Sequence, residues 1–114
     1  MNYEINYISS FAKELKRLGK KYRSMRQDYA RLLEELHANP AAGVSLGRGV
    51  RKVRMAIASK NKGKSHGARV ITFTYSVDEE SGTIVLLFLY DKEERDTITS
   101  AEIDTLLEQV KKEV

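Results

Sequence analysis

Thr83-Ile84-Val85-Leu86-Leu87-Phe88-Leu89-Tyr90 is the stretch that decides the fold. Odd and even positions are equally apolar, so neither face of this segment suits water. A strand of that kind belongs in the middle of a sheet that is covered on both sides. Ile84–Tyr90 is also the longest apolar run in the chain, and it is far too short to cross a bilayer as a helix. Just upstream, residues 78–82 read Asp-Glu-Glu-Ser-Gly, which predicts a turn. Residues 68–77 before it are rich in β-branched and aromatic side chains, which predicts a strand forming a hairpin with the central one.

Working outward, residues 50–58 alternate. Val53, Met55 and Ile57 fall on one face, and Lys52, Arg54 and Ala56 on the other, as a half-buried strand requires. Gly43, Gly47 and Gly49 mark a loop before it, and residues 59–67 form a polar, basic loop after it. Residues 2–8 read as a first strand with Tyr3, Ile5 and Tyr7 on one face. Two amphipathic helices follow. Ser9 or Ser10 is expected to cap the first, whose stripe is Phe11, Leu15, Leu18 and Tyr22. Ser24 with Gln27 suggests a capping box for the second, whose stripe is Met25, Tyr29, Leu32, Leu33 and Leu36, and Asn39-Pro40 ends it. Thr99 with Glu102 opens a last helix carrying Ile103, Leu106, Leu107 and Val110. The expected order is β-α-α-β-β-β-α. It describes one α+β domain over residues 1–114, a twisted, mainly antiparallel sheet with an N-terminal helical hairpin packed on it.

Charge is unevenly spread along the 114 residues. Residues 1–35 carry +3, residues 36–77 carry +8 with no acid among them, and residues 78–114 carry −7. A single-sign block attracts polyanions, and nucleic acid is the natural candidate. There is no cysteine, which excludes disulfides and Cys-based zinc sites and suits a reducing compartment. No basic segment followed by an apolar one opens the chain, so no secretory leader is expected.

Among candidate motifs, Ala58-Ser59-Lys60-Asn61-Lys62-Gly63-Lys64-Ser65 ends like a phosphate-binding P-loop. It lacks the first glycine, and a β-rich segment follows where the pattern needs a helix. The basic cluster is more informative: Lys52 and Arg54 on a strand, Lys60, Lys62 and Lys64 in the loop, and Arg69 at the rim where the next strand opens. A strand–loop–strand connection lets such cations converge on one groove, where they hold phosphates by charge-assisted hydrogen bonds. His66 reads either as a loop residue or as a proton carrier, and Tyr90 either as a core-edge tyrosine or as a base-stacking and proton-donating group. No metal-ligand motif occurs. The acids of residues 91–96 read as a solvated face, with Asp91 placed to order a nearby Arg or Lys.

Residues 13–24, Lys-Glu-Leu-Lys-Arg-Leu-Gly-Lys-Lys-Tyr-Arg-Ser, resemble the opening helices of the RelE/ParE superfamily of bacterial toxins. Lys52-Val53-Arg54-Met55-Ala56-Ile57 resembles a central strand of that family. Residues 60–71 resemble the loop and strand that follow, and Leu89-Tyr90-Asp91-Lys92 the end of the last strand. The resemblance runs over nearly the whole chain and is nearest the RelE/HigB-like branch. It implies a cytoplasmic, ribosome-dependent endoribonuclease that cuts mRNA in the decoding site, without metal or cofactor, and that is held in check by a cognate antitoxin. The ParE branch poisons gyrase instead. By position, Arg54 and Arg69 match the arginines at the scissile phosphate, Lys60, Lys62 and Lys64 the basic loop, and Tyr90 and Lys92 the strand end lining the site. The chain departs from the pattern at His66 and at Glu93-Glu94. The implied reaction is attack of a ribose 2′-OH on its own phosphate. Lys60 or Lys64 serves as base if like-charge crowding lowers its pKa, Tyr90 or His66 as acid, and Lys52, Lys62, His66 and Lys92 as RNA contacts.

Overall fold

The computed structural model describes residues 2–76, 78 and 80–113. Its elements are β1 (Asn2–Tyr7), α1 (Ser9–Lys21), α2 (Met25–Ala38), β2 (Val44–Gly47), β3 (Val50–Met55), β4 (Ala68–Ser76), β5 (Ser81–Asp91) and α3 (Ser100–Glu113), with 3-10 turns at Ala58–Lys60 and Lys64–His66. The described residues form a single-domain α+β fold with three helices and one five-stranded mixed sheet. The strand order is β1-β5-β4-β3-β2, with β1 parallel to β5 and the other pairs antiparallel. Val77 and Glu79, assigned from sequence to a strand end and its turn, lie outside the described residues.

β5 holds the sheet together because both of its faces are buried. Ile84, Leu86 and Leu89 pack with α1 and α2 through Phe11, Leu18, Met25, Leu32 and Leu36. Val85, Leu87 and Tyr90 pack on the opposite side with Ile103, Leu106 and Val110 of α3. The partners of Ile71 and Thr72 jump from Phe88 to Leu86, so Leu87 is an extra, bulged residue in β5 and the face alternation of β5 changes step there. The helical hairpin therefore covers one face and α3 the other.

Three local expectations are corrected. The glycine loop holds an additional strand, β2, so the order is β-α-α-β-β-β-β-α. Arg48 and Gly49 both have positive φ (57° and 79°), the geometry of a tight two-residue hairpin turn between Gly47 and Val50. Neither Ser9 nor Ser10 caps α1. Ile8 stands at the cap position, while Ser9 binds Glu113 and the Ser10 hydroxyl donates to the Leu87 carbonyl at 2.7 Å. Ser24 precedes α2 but makes no capping bond; its hydroxyl donates to Asp28 at 2.7 Å. The Thr99–Glu102 box does form. The Thr99 amide donates to Glu102 at 3.0 Å, and the Glu102 amide donates back to the Thr99 hydroxyl at 3.1 Å.

Candidate functional site

β2 pairs with β3 only as far as Lys52, which faces Val44. Beyond it, β3 has β4 on one side and, among the described residues, no strand on the other. The end of α2, the 42–46 segment and the Lys64–His66 turn border this gap, which is an open cleft of about 800 Å³. Lys52, Arg54, Lys64, Arg69 and Lys92 line it, five of the nine residues singled out from sequence.

Pairing across the sheet aligns the centre of this site. Arg54 is the cross-strand partner of Arg69, and Arg69 is the partner of Tyr90, so the three form one row across β3, β4 and β5. Like charges directly opposite each other on a sheet repel. Among the described residues, neither arginine has a carboxylate partner to offset that repulsion. Strand pairing thus puts two arginines in one row, and both line the open cleft, an arrangement that suits an anion.

Arg69 is not the rim residue the sequence suggested. It is 7% exposed, and its guanidinium donates to the carbonyls of Lys64 and Ala68 at 3.2 Å and of Ser65 at 3.3 Å. It thus braces the turn that carries Lys64. The Lys64 side chain reaches across to Glu35 on α2, 2.9 Å away. Lys92 donates to the carboxylate of Asp96 at 2.8 Å. Arg54 is exposed and makes no ion pair among the described residues.

Lys60 lies elsewhere. Its side chain is 5% exposed and its ammonium sits 2.6 Å from Asp91, which is fully buried. Asp91 also accepts the Tyr22 hydroxyl at 2.5 Å and the Glu93 amide at 3.0 Å, and lies 3.4 Å from Lys21. Burial alone would raise the Asp91 pKa; the bonds from Lys60, Tyr22 and the Glu93 amide outweigh it and hold the carboxyl at about 2. Burial likewise works to lower the Lys60 pKa, but Asp91 and Glu93 reverse it and raise the value. Of the two lysines expected as a base of lowered pKa, Lys60 is corrected: it is an ion-paired anchor that does not line the cleft, whereas Lys64 does line it. The surroundings of Lys60 are acids, not the like charges that sequence proximity suggested.

Three further candidates also stand outside the cleft lining. Lys62 is exposed, 3.7 Å from Glu93. The exposed His66 contributes its carbonyl to Lys60 at 3.0 Å. Tyr90 is 3% exposed, beneath Arg95 at 5.9 Å and beside Phe88, and its hydroxyl has no partner among the described residues. Burial raises the Tyr90 pKa against the pull of Lys92, Arg69 and Arg95. A base-stacking role needs an open ring face, so that expectation is corrected.

Sequence reading missed Glu35, which lines the cleft and carries no local signal of that place. It also missed Asp28, although a signal was present: Asp28 falls at stripe spacing between Met25 and Leu32. Buried there, it accepts the Ala58 amide at 3.2 Å, while Ser24 accepts the Ser59 amide at 2.9 Å. Asp28, Asp91 and Arg69 thus pin the 58–67 segment at three points. The bonds from Arg69 to the Lys64 and Ser65 carbonyls hold the backbone at Lys64 in place, as a preorganised site requires.

Among the described residues, no three His, Cys, Asp or Glu side chains gather as a metal-ligand group, and no helix is long and apolar enough to cross a membrane. Comparison with protein-family models gives no match for this chain, and comparison with curated proteins gives none.

Proposed function

We propose that the chain is a toxin of a type II toxin–antitoxin pair, of the RelE/ParE kind, and that it cuts ribosome-bound mRNA in the cytoplasm by metal-independent attack of a ribose 2′-OH. The observation that carries this reading is the row of Arg54 and Arg69, paired across two strands in an open cleft with Lys52, Lys64 and Lys92 on its walls. A phosphate between the arginines would relieve their repulsion and receive donors from both. A pentacovalent phosphorane carries more negative charge there and would be held more tightly, which is how such a pair accelerates the reaction. The lysines hold the flanking phosphates. The apolar, exposed Val44 and Leu46 at the cleft border offer an antitoxin a surface beside the cations.

The test is single-turnover reaction of the purified protein with mRNA on programmed ribosomes. Cleaved mRNA ending in 2′,3′-cyclic phosphate is the expected product. Intact mRNA together with lost DNA supercoiling would replace this reading with gyrase poisoning.

A further inference from the structure

We propose that Glu35 is the proton acceptor of the cleft. The assignment rests on the nuclease reading above. It starts from a census of chemistry: Glu35 is the only carboxylate among the described residues that line the cleft. The remaining charged groups there are Lys52, Arg54, Lys64, Arg69 and Lys92. Ammonium and guanidinium groups donate protons and have no lone pair with which to accept one, whereas a carboxylate only accepts. A 2′-OH nucleophile needs an acceptor, and the cleft wall offers this one.

The geometry suits the role. Glu35 sits in the last full turn of α2, next to Leu36, which is buried and fixes that turn against the sheet. One carboxylate oxygen, Oε1, accepts from the Lys64 ammonium at 2.9 Å. The other, Oε2, has no hydrogen bond among the described residues and is free for a substrate hydroxyl. The same Lys64 gives its backbone carbonyl to Arg69 at 3.2 Å. Lys64 therefore ties the acceptor to the phosphate-binding row: its side chain orients Glu35, and its backbone is held by Arg69.

In the step itself, the 2′-O–H bond breaks and its proton passes to Oε2 of Glu35. The 2′-oxygen bonds to phosphorus. The P–O5′ bond breaks, and its electron pair leaves on the 5′-oxygen, which takes a proton from solvent in the open cleft. The ends are a 2′,3′-cyclic phosphate and a 5′-hydroxyl, and Glu35 then returns its proton to solvent.

The experiment compares the whole protein with its E35Q and E35D variants. Single-turnover cleavage of ribosome-bound mRNA is measured between about pH 6 and pH 8.5, with RNA affinity and thermal unfolding measured on the same samples. E35Q is expected to fold, to bind RNA at least as tightly, and to cut about 100-fold or more slowly, the usual contribution of a positioned base. Its log rate should rise more steeply with pH than the parent's, because hydroxide must then remove the proton. E35D keeps a carboxylate one methylene shorter and should recover part of the rate together with the parent's shallower pH profile. An E35Q variant cutting within a few-fold of the parent would overturn the assignment. So would a loss that lies in binding while the pH profile stays that of the parent, since Glu35 would then only position Lys64. A parent protein that leaves RNA intact is a different failure, and it takes the nuclease reading down with it.

Discussion

Arg54 and Arg69 stand opposite each other, yet substitution should separate them. Arg54 is exposed and bonded to nothing described, so Arg54→Gln should unfold within about 0.5 kcal/mol of the parent. Its single-turnover cleavage should fall about 100-fold, the scale of losing one donor to a developing oxyanion. Arg69→Gln removes the donors that brace Lys64 and Ser65, so denaturant unfolding should show a stability loss in addition to the lost cleavage. Equal stability of the two variants would mean that the brace contributes nothing. Asp91 makes a different prediction, about pH. Its folded carboxyl lies near 2, below the ordinary 3.8. A depressed acid contributes stability that is fully present above the unfolded value and is lost as pH falls through the folded one. The contribution is about 2 kcal/mol at neutral pH, fading between roughly pH 4 and pH 2. Asp91→Asn leaves the buried Lys60 with only the half-exposed Glu93, 3.3 Å away, as counter-charge and should cost about 3 kcal/mol at pH 7. The stability gap between parent and variant should narrow across that acid window; a gap that widens on acidification would remove Asp91 from this role.

At the scale of elements, the close approach of Gly67 to β3 decides how the basic segment is seated. A Cβ at Gly67 would fall 2.2 Å from the Met55 carbonyl oxygen, which is backbone and cannot rotate away. Gly67→Ala should therefore destabilise the fold by more than about 1 kcal/mol and loosen the Lys64–His66 turn, measured as faster amide exchange at residues 64–68. Unchanged exchange would show that the strand yields without cost. The elements legible in the sequence are those with a strong local pattern. The two-faced apolar run became β5, the alternating Val53 and Met55 fixed the faces of β3, and Thr99 with Glu102 announced α3. β2 was not legible, because four exposed residues at a sheet edge carry no one-sided pattern, and its strand geometry depends on a turn with two positive φ angles. The basic loop was legible as cations but not as an arrangement. Lys60 is paired with Asp91, thirty-one positions away, and no local spacing announces such a partner.

Across the whole molecule, the acid-free stretch of residues 36–77 is divided by the fold into two sets of four cations. Arg48, Lys60, Lys62 and Lys64 each meet a carboxylate, three of them from the acidic C-terminal third and one from Glu35. Arg51, Lys52, Arg54 and Arg69 have none among the described residues, and the last three line the cleft. Sequence alone points to the loop lysines as the steering charges for RNA or for an acidic antitoxin. The folded charge distribution moves that role to Lys52 and Arg54, because a cation already paired adds little field at a distance. Binding of single-stranded RNA releases about 0.7 counterion per phosphate neutralised, so three free cleft cations imply a slope of log affinity against log salt near −2. Replacing Lys52 and Arg54 together by Gln should flatten that slope by about 1.4, and it should slow association with an acidic partner at low salt, where screening is weak. Lys62→Gln, outside the cleft and facing Glu93, should change either quantity much less. Titration of a short RNA by fluorescence anisotropy over a range of salt concentrations measures the slope directly. If the Lys62 variant flattens it and the Lys52/Arg54 variant does not, RNA tracks the loop and bypasses the cleft, and the arginine row loses its substrate.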